Sequence, residues 1–167
     1  VVDLNGALEG KPVNLKAIEQ IMTGVEIPVQ IGGGIRNEQP AEIFLTMGAG
    51  RVVLGSAALE DPDLVQILAI RYEDRVAVGI DAREGQVALH GWKETMDREA
   101  IDVAQEFEGM GLCTLIYTDI SRDGTLAGPN FEALQKMIEA VSIPVIASGG
   151  ISSLEDLKKL KGIGAGG

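Results

Sequence analysis

Short apolar, β-branched runs alternate with longer stretches of helical period along nearly the whole chain. Runs at Ile27–Ile31, Arg51–Leu54, Val76–Ile80, Leu112–Thr118 and Ile143–Ala147 predict strands. Helical periods occupy 15–23, 40–47, 62–71, 97–109, 131–140 and 153–160, with Asn14, Asp61, Asp97, Asn130 and Ser153 placed as N-caps. Strands that are apolar on both faces, such as Val-Ala-Val-Gly-Ile at 76–80, belong to a parallel sheet covered by helices. The class is therefore α/β, in βαβα order.

The chain also matches itself. Displaced by 116 positions without a gap, Asp3 falls on Asp119, Asn14 on Asn130, Ala17 on Ala133 and Val25 on Val141. The same displacement sets Ile27-Pro28-Val29 on Ile143-Pro144-Val145, Gly33-Gly34-Ile35 on Gly149-Gly150-Ile151, and Gly48-Ala49-Gly50 on Gly164-Ala165-Gly166. So long a period suits half of a (β/α)8 TIM barrel, whose full length is typically about 250 residues. The expectation is one domain over 1–167, a barrel built from two half-barrel repeats. Gly48-Ala49-Gly50 leads into the run 51–54, whereas its counterpart stops one residue later, and the strand ending at Asp81 has no counterpart upstream. Val1-Val2-Asp3-Leu4 reads as the end of a strand, with no initiator Met. A partial barrel is thus expected, lacking the first strand, most of the second and the last strand-helix unit, cut from a longer protein.

Composition narrows the function. Hydrophobic residues make up 46% and charged residues 23%, enough for a buried core. A net charge of −11 disfavours nucleic acid as a partner. The single cysteine, Cys113, excludes an internal disulfide and a multi-cysteine metal site. No apolar run approaches the roughly 18 residues that span a bilayer, so a cytoplasmic protein without membrane partners is expected.

Chemistry in such a sheet gathers at the C-terminal strand ends, where Asp3, Asp81 and Asp119 stand. Carboxylates across a barrel mouth can serve as general acid and base, although a strand-end Asp often only caps the following turn. Gly32-Gly33-Gly34 and Ser148-Gly149-Gly150 follow equivalent strands and precede helices. They fit either tight turns or backbone N–H cradles for phosphate, and their duplication points to a ligand with two phosphates. Gly55-Ser56 would complete the first cradle. Arg122-Asp123-Gly124-Thr125 reads as a turn rich in hydrogen-bonding groups. Trp92, in the Gly85–Thr95 loop, can stack on a flat ring or pack beneath the loop. His90 has no partner at metal-ligand spacing and is read as a loop residue. No dinucleotide fingerprint, P-loop or serine elbow is present.

These motifs together resemble a known family. Val-Val-Asp-Leu-Asn-Gly-Ala (1–7), Ile-Gly-Gly-Gly-Ile-Arg (31–36), Leu-Gly-Ser-Ala-Ala-Leu-Glu-Asp-Pro (54–62), Gly-Ile-Asp-Ala-Arg (79–83), Gly-Trp (91–92), Tyr-Thr-Asp-Ile-Ser-Arg-Asp-Gly-Thr-Leu (117–126) and Ile-Ala-Ser-Gly-Gly-Ile (146–151) occur in order along the whole chain. They resemble the phosphoribosylformimino-aminoimidazole carboxamide ribotide isomerases of histidine biosynthesis. The resemblance implies an Amadori rearrangement of an aminoaldose to an aminoketose, on a substrate with a phosphate at each end, with no metal or redox cofactor and a monomeric full-length protein. It implies that Asp81 donates the proton, with Asp119 as a rival, and that the base lies on a strand this chain lacks. By the same resemblance Thr118 and Asp119 stand at the reacting sugar, and Trp92 contacts substrate. Arg83 and Thr125 lie within matching motifs and are counted with the substrate-binding residues. Gly33, Gly34 and Ser56 match one phosphate site, and Gly124, Gly149 and Gly150 part of the other. The cyclase subunit of imidazole glycerol phosphate synthase shares some of these elements, but usually shows Asn-Thr where Gly55-Ser56 stands. A bifunctional isomerase tends to carry Arg where His90 stands. A third reading is an inactive phosphate-binding fragment.

Overall fold

Asp3 ends the first extended segment by capping a helix, its carboxylate accepting from Gly6 N, and α1 (Leu4–Glu9) closes on a left-handed Gly10. There follow α2 (Leu15–Gly24), β1 (Gln30–Gly32), α3 (Glu38–Thr46), β2 (Arg51–Leu54), α4 (Ser56–Glu60), α5 (Pro62–Arg71) and β3 (Val76–Arg83). Then come β4 (Gln86–Leu89), β5 (Glu94–Glu99), α6 (Ala100–Gly109), β6 (Leu115–Asp119), α7 (Phe131–Ala140), β7 (Val145–Ser148) and α8 (Leu154–Gly162). The computed structural model describes residues 1–89, 92 and 94–167; His90, and Gly91 of the Gly-Trp motif, lie outside the described residues. The class is α/β, as expected, with a mixed sheet. Among the described residues no helix is long and apolar enough to cross a membrane.

The chain divides into two compact units, 1–78 and 79–167. In the first, β1, β2 and the start of β3 pair in parallel, Gln30 with Arg51, Val52 with Val76 and Leu54 with Val78. Val2 adds an isolated parallel bridge to Gly32. Ile31, Phe44, Val52, Leu54 and Leu68 are fully buried, as both-face apolar strands require. Arg75 fastens the turn after α3 by donating to the carbonyls of Leu45 and Ala49.

In the second unit β3 doubles back into β4 through a two-residue turn, Glu84 and Gly85, both with positive φ (53° and 87°), as the twist of a tight hairpin demands. β5 then pairs antiparallel with β4, and β6 pairs in parallel with β7, Leu115 opposite Val145 through Thr118 opposite Ser148. β6 also pairs with β3, Ile120 N donating to Ala82 O at 3.0 Å.

This hairpin corrects the reading of 85–109. The expected loop is largely strand, and Asp97 lies in β5 instead of capping a helix; α6 starts at Ala100 with Glu99 as its N-cap. The signal was weak because β5 is polar and mostly exposed, held by its ladder to β4. Asp61 and Asn14 do occupy N-cap positions, but neither makes a side-chain cap bond.

The internal match extends to conformation. α2 and α7 have bounds displaced by the same 116 residues, as do α3 and α8. Gly33 and Gly149 share φ near +90° (97° and 89°), and Gly34 and Gly150 share 76° and 79°. An ideal Cβ on Gly33 would sit 2.3 Å from Asp3 O, and one on Gly149 would sit 2.9 Å from Asp119 O.

Candidate active site

Asp81 and Asp119 stand near the C-terminal ends of the neighbouring strands β3 and β6, yet their surroundings differ. Asp81 is half-buried, between buried Ile80 and Ala82. Its Oδ2 accepts a hydrogen bond of 2.8 Å from the indole Nε1 of Trp92, on the link between β4 and β5. Trp92 has φ of 71° and is 39% exposed.

Asp119 is 5% exposed and its carboxylate is engaged on both oxygens. Oδ1 accepts from Ser121 N and Ser121 Oγ at 2.9 and 2.6 Å, and Oδ2 from Asn130 Nδ2 at 2.6 Å. Burial alone would raise its pKa, but the bonds from Ser121 and Asn130, with Arg122 nearby, hold it below the usual carboxylate range. Asp3 repeats the device. It accepts from Gly6 N, Val13 N, Asn14 N and, at 2.6 Å, Asn14 Nδ2. Burial again opposes ionisation and the donors prevail, bringing the pKa down to about 2. Each Asp thus clasps the loop after its strand to the N-cap Asn eleven residues on. Asn14, Asn130 and Ser121 were not singled out in the sequence for this role, although both Asp–Asn pairs were among the repeat identities.

The repeated glycines face the same loops. A Cβ on Gly34 would meet Lys11 backbone at 2.6 Å, and one on Gly150 would meet Gly128 O at 2.7 Å. Close backbone approach therefore requires glycine here even before any ligand is considered. The helices do not begin at the glycines: α3 starts at Glu38 and α8 at Leu154. Asp156 closes the α8 N-terminus in a capping box with Ser153, accepting also from Ser152 N. An anion at these loops would meet loop amides in place of an open helix end. Ser56 opens α4 in the first unit. In the second, Thr118 is buried on β6, and Arg83 is exposed where β3 turns. Gly124 has φ of 70° in an exposed turn, and Thr125 Oγ1 donates to Arg122 O at 2.7 Å. Asp81, Arg83, Trp92, Thr118, Asp119, Gly124, Thr125, Gly149 and Gly150 all belong to the second unit; Gly33, Gly34 and Ser56 belong to the first. Among the described residues no group of three His, Cys, Asp or Glu could hold a metal ion.

The family described as histidine biosynthesis protein matches residues 1–167. The chain belongs to that family. It is 55% identical, over 96% of its length, to a 1-(5-phosphoribosyl)-5-((5-phosphoribosylamino)methylideneamino)imidazole-4-carboxamide isomerase of Paramagnetospirillum magneticum, covering 67% of that protein. It is 52% identical over 100% of its length to the like-named isomerase of Synechococcus sp., covering 66% of it. Against isomerase 2 of Ruegeria sp. the identity is 53% over 99% of the chain and 69% of the relative. The chain therefore spans about two thirds of the length of these relatives.

Proposed function

We propose that this chain carries most of the machinery of a sugar-phosphate isomerase of histidine biosynthesis, which converts an aminoaldose ribotide to its aminoketose. The cyclase reading is not favoured, since relatives at 52–55% identity bear the isomerase name. The fold is read as a (β/α)8 barrel of two half-barrels. The offset elements support this, as does the division between units inside β3, the strand with which the second half would begin.

In the proposed reaction an acid protonates the furanose ring oxygen, the C1–O bond breaks, and the anomeric carbon becomes an imine with the attached nitrogen. A base then removes the C2 proton, and the resulting enaminol takes a proton at C1 while its C2 hydroxyl loses one, giving the ketose. Asp81 is the acid. The observation that carries this choice is the contrast between the two strand-end carboxylates. Asp119 is saturated by Ser121 and Asn130 and held ionised, which suits an anchor and not a proton donor. Asp81 is partly open to solvent and touches one loop side chain among the described residues. Thr118 stands at the reacting sugar, and Arg83 is counted with the substrate-binding residues. Gly33, Gly34 and Ser56 serve one substrate phosphate, and Gly124, Thr125, Gly149 and Gly150 the other.

The test is Asp81→Asn in the full-length protein. Turnover should fall by about 10²–10⁴ with substrate affinity and melting temperature nearly unchanged. Wild-type turnover in that variant would remove Asp81 from the acid role.

A further inference from the structure

We propose that Trp92 is a positioning residue for Asp81, its indole Nε1–H holding the carboxyl group. This rests on the reading of Asp81 as the acid. The indole has a single polar group, the Nε1–H, which can only donate, and it is spent on Asp81 Oδ2 at 2.8 Å. Among the described residues this is the one hydrogen bond to that carboxylate; the anchors Asp3 and Asp119 each take several. Trp92 as a whole is 39% exposed.

The backbone agrees. Trp92 holds φ of 71°, a left-handed conformation that a bulky side chain adopts only when its surroundings impose it. The hairpin fixes the carboxylate end of the bond, since Asp81 lies opposite Ala88. A carboxyl group on a strand end is otherwise free to rotate about χ1 and χ2. Holding it there fixes the place of the proton, which is where orientation contributes most to rate.

The experiment separates the N–H from the ring in the full-length protein. Trp92→Phe keeps an aromatic face and deletes the N–H; it should lower kcat about tenfold or more with KM within about twofold. Trp92→Ala deletes both and should also raise KM. A second readout is independent of turnover: the Trp92 indole N–H resonance, assigned by its loss in Trp92→Phe, should move and exchange faster in Asp81→Ala. A Trp92→Phe enzyme with wild-type kcat, or an indole resonance indifferent to Asp81→Ala, overturns the positioning role while leaving Asp81 as the acid. Full activity in Asp81→Asn would instead overturn the reading on which it rests.

Discussion

The two repeats fasten the same Asp to the same Asn and then build different things on the fastening. After Asp3 the chain winds into α1, capped by that carboxylate. After Asp119 it makes an exposed turn carrying Arg122, Asp123 and Thr125 where the first repeat has Gly6, Ala7 and Glu9. Gly124, with φ of 70°, stands where the first repeat has the helical Leu8, and a left-handed residue cannot sit inside a right-handed helix. The clasp therefore does not dictate the conformation of the loop it closes. It makes the loop base rigid, and substitutions beyond it decide between a helix and a display of polar side chains. A carboxylate used in this way in both repeats orders the loop that follows it.

The largest effect should come from breaking the clasps. Asp3→Ala and Asp119→Ala each strip a buried carboxylate and leave amide donors without partners, so each should cost about 3 kcal/mol by urea denaturation. Similar losses in both would mark the two clasps as equivalent. If Asp119→Ala were as stable as wild type, the bonds from Ser121 and Asn130 would not be what orders that loop.

The glycines rank next and distinguish the repeats more finely. Gly33→Ala would put a methyl group 2.3 Å from Asp3 O, and Gly149→Ala one 2.9 Å from Asp119 O. Both also carry the left-handed cost, so losses of about 3 and about 2 kcal/mol are expected. Gly48→Ala has open space around it despite φ of 102° and should lose only about 1 kcal/mol. Equal melting points for Gly33→Ala and Gly149→Ala would show that conformation, and not the approach of the neighbouring strand-end carbonyl, sets the need for glycine.

Much of this was legible in the sequence because the decisive features are local and repeated. Asn130 and Ser153 cap as expected, α5 and α7 match their predicted ranges, and the offset of 116 aligned the two Asp–Asn pairs and the glycines without showing that the former bond. The β3–β4 hairpin, continued by β5, was not legible. Its turn, Glu84-Gly85, lacks the Asn-Gly or Asp-Gly signature, and β5 has no alternating apolar face. The role of Asp119 was hidden for another reason. Its donors are residues 121 and 130, and a carboxylate that anchors looks in sequence like one that reacts.

Acid titration gives a smaller effect, with a defined sign. The folded chain holds Asp3 ionised down to about 2, below the ordinary value of 3.8, so the unfolded chain binds its proton first as pH falls. The stabilisation is complete above pH about 4 and is lost as pH falls toward 2. Asp119, also depressed, adds in the same direction. Asp3→Asn should flatten this part of the stability–pH curve, and an unchanged slope would mean that other carboxylates carry the acid sensitivity.

The smallest effect tests the divergence at one backbone position. Gly10 and Leu126 are related by the repeat and share left-handed φ, 72° and 56°. Leu126 is 76% exposed, so its side chain gains little burial to offset its conformation. Leu126→Gly relieves roughly 1 kcal/mol of strain but gives the unfolded chain comparable entropy, leaving a net change within about 0.5 kcal/mol. The reverse swap is not symmetrical. A Cβ at Gly10 would lie 2.6 Å from the Arg36 guanidinium, so Gly10→Leu adds the displacement of that side chain to the same backbone cost and should lose about 1–2 kcal/mol. If Leu126→Gly instead destabilised the protein by more than Gly10→Leu, the Leu126 side chain would be held by packing, and the second repeat's loop would be ordered by more than its clasp.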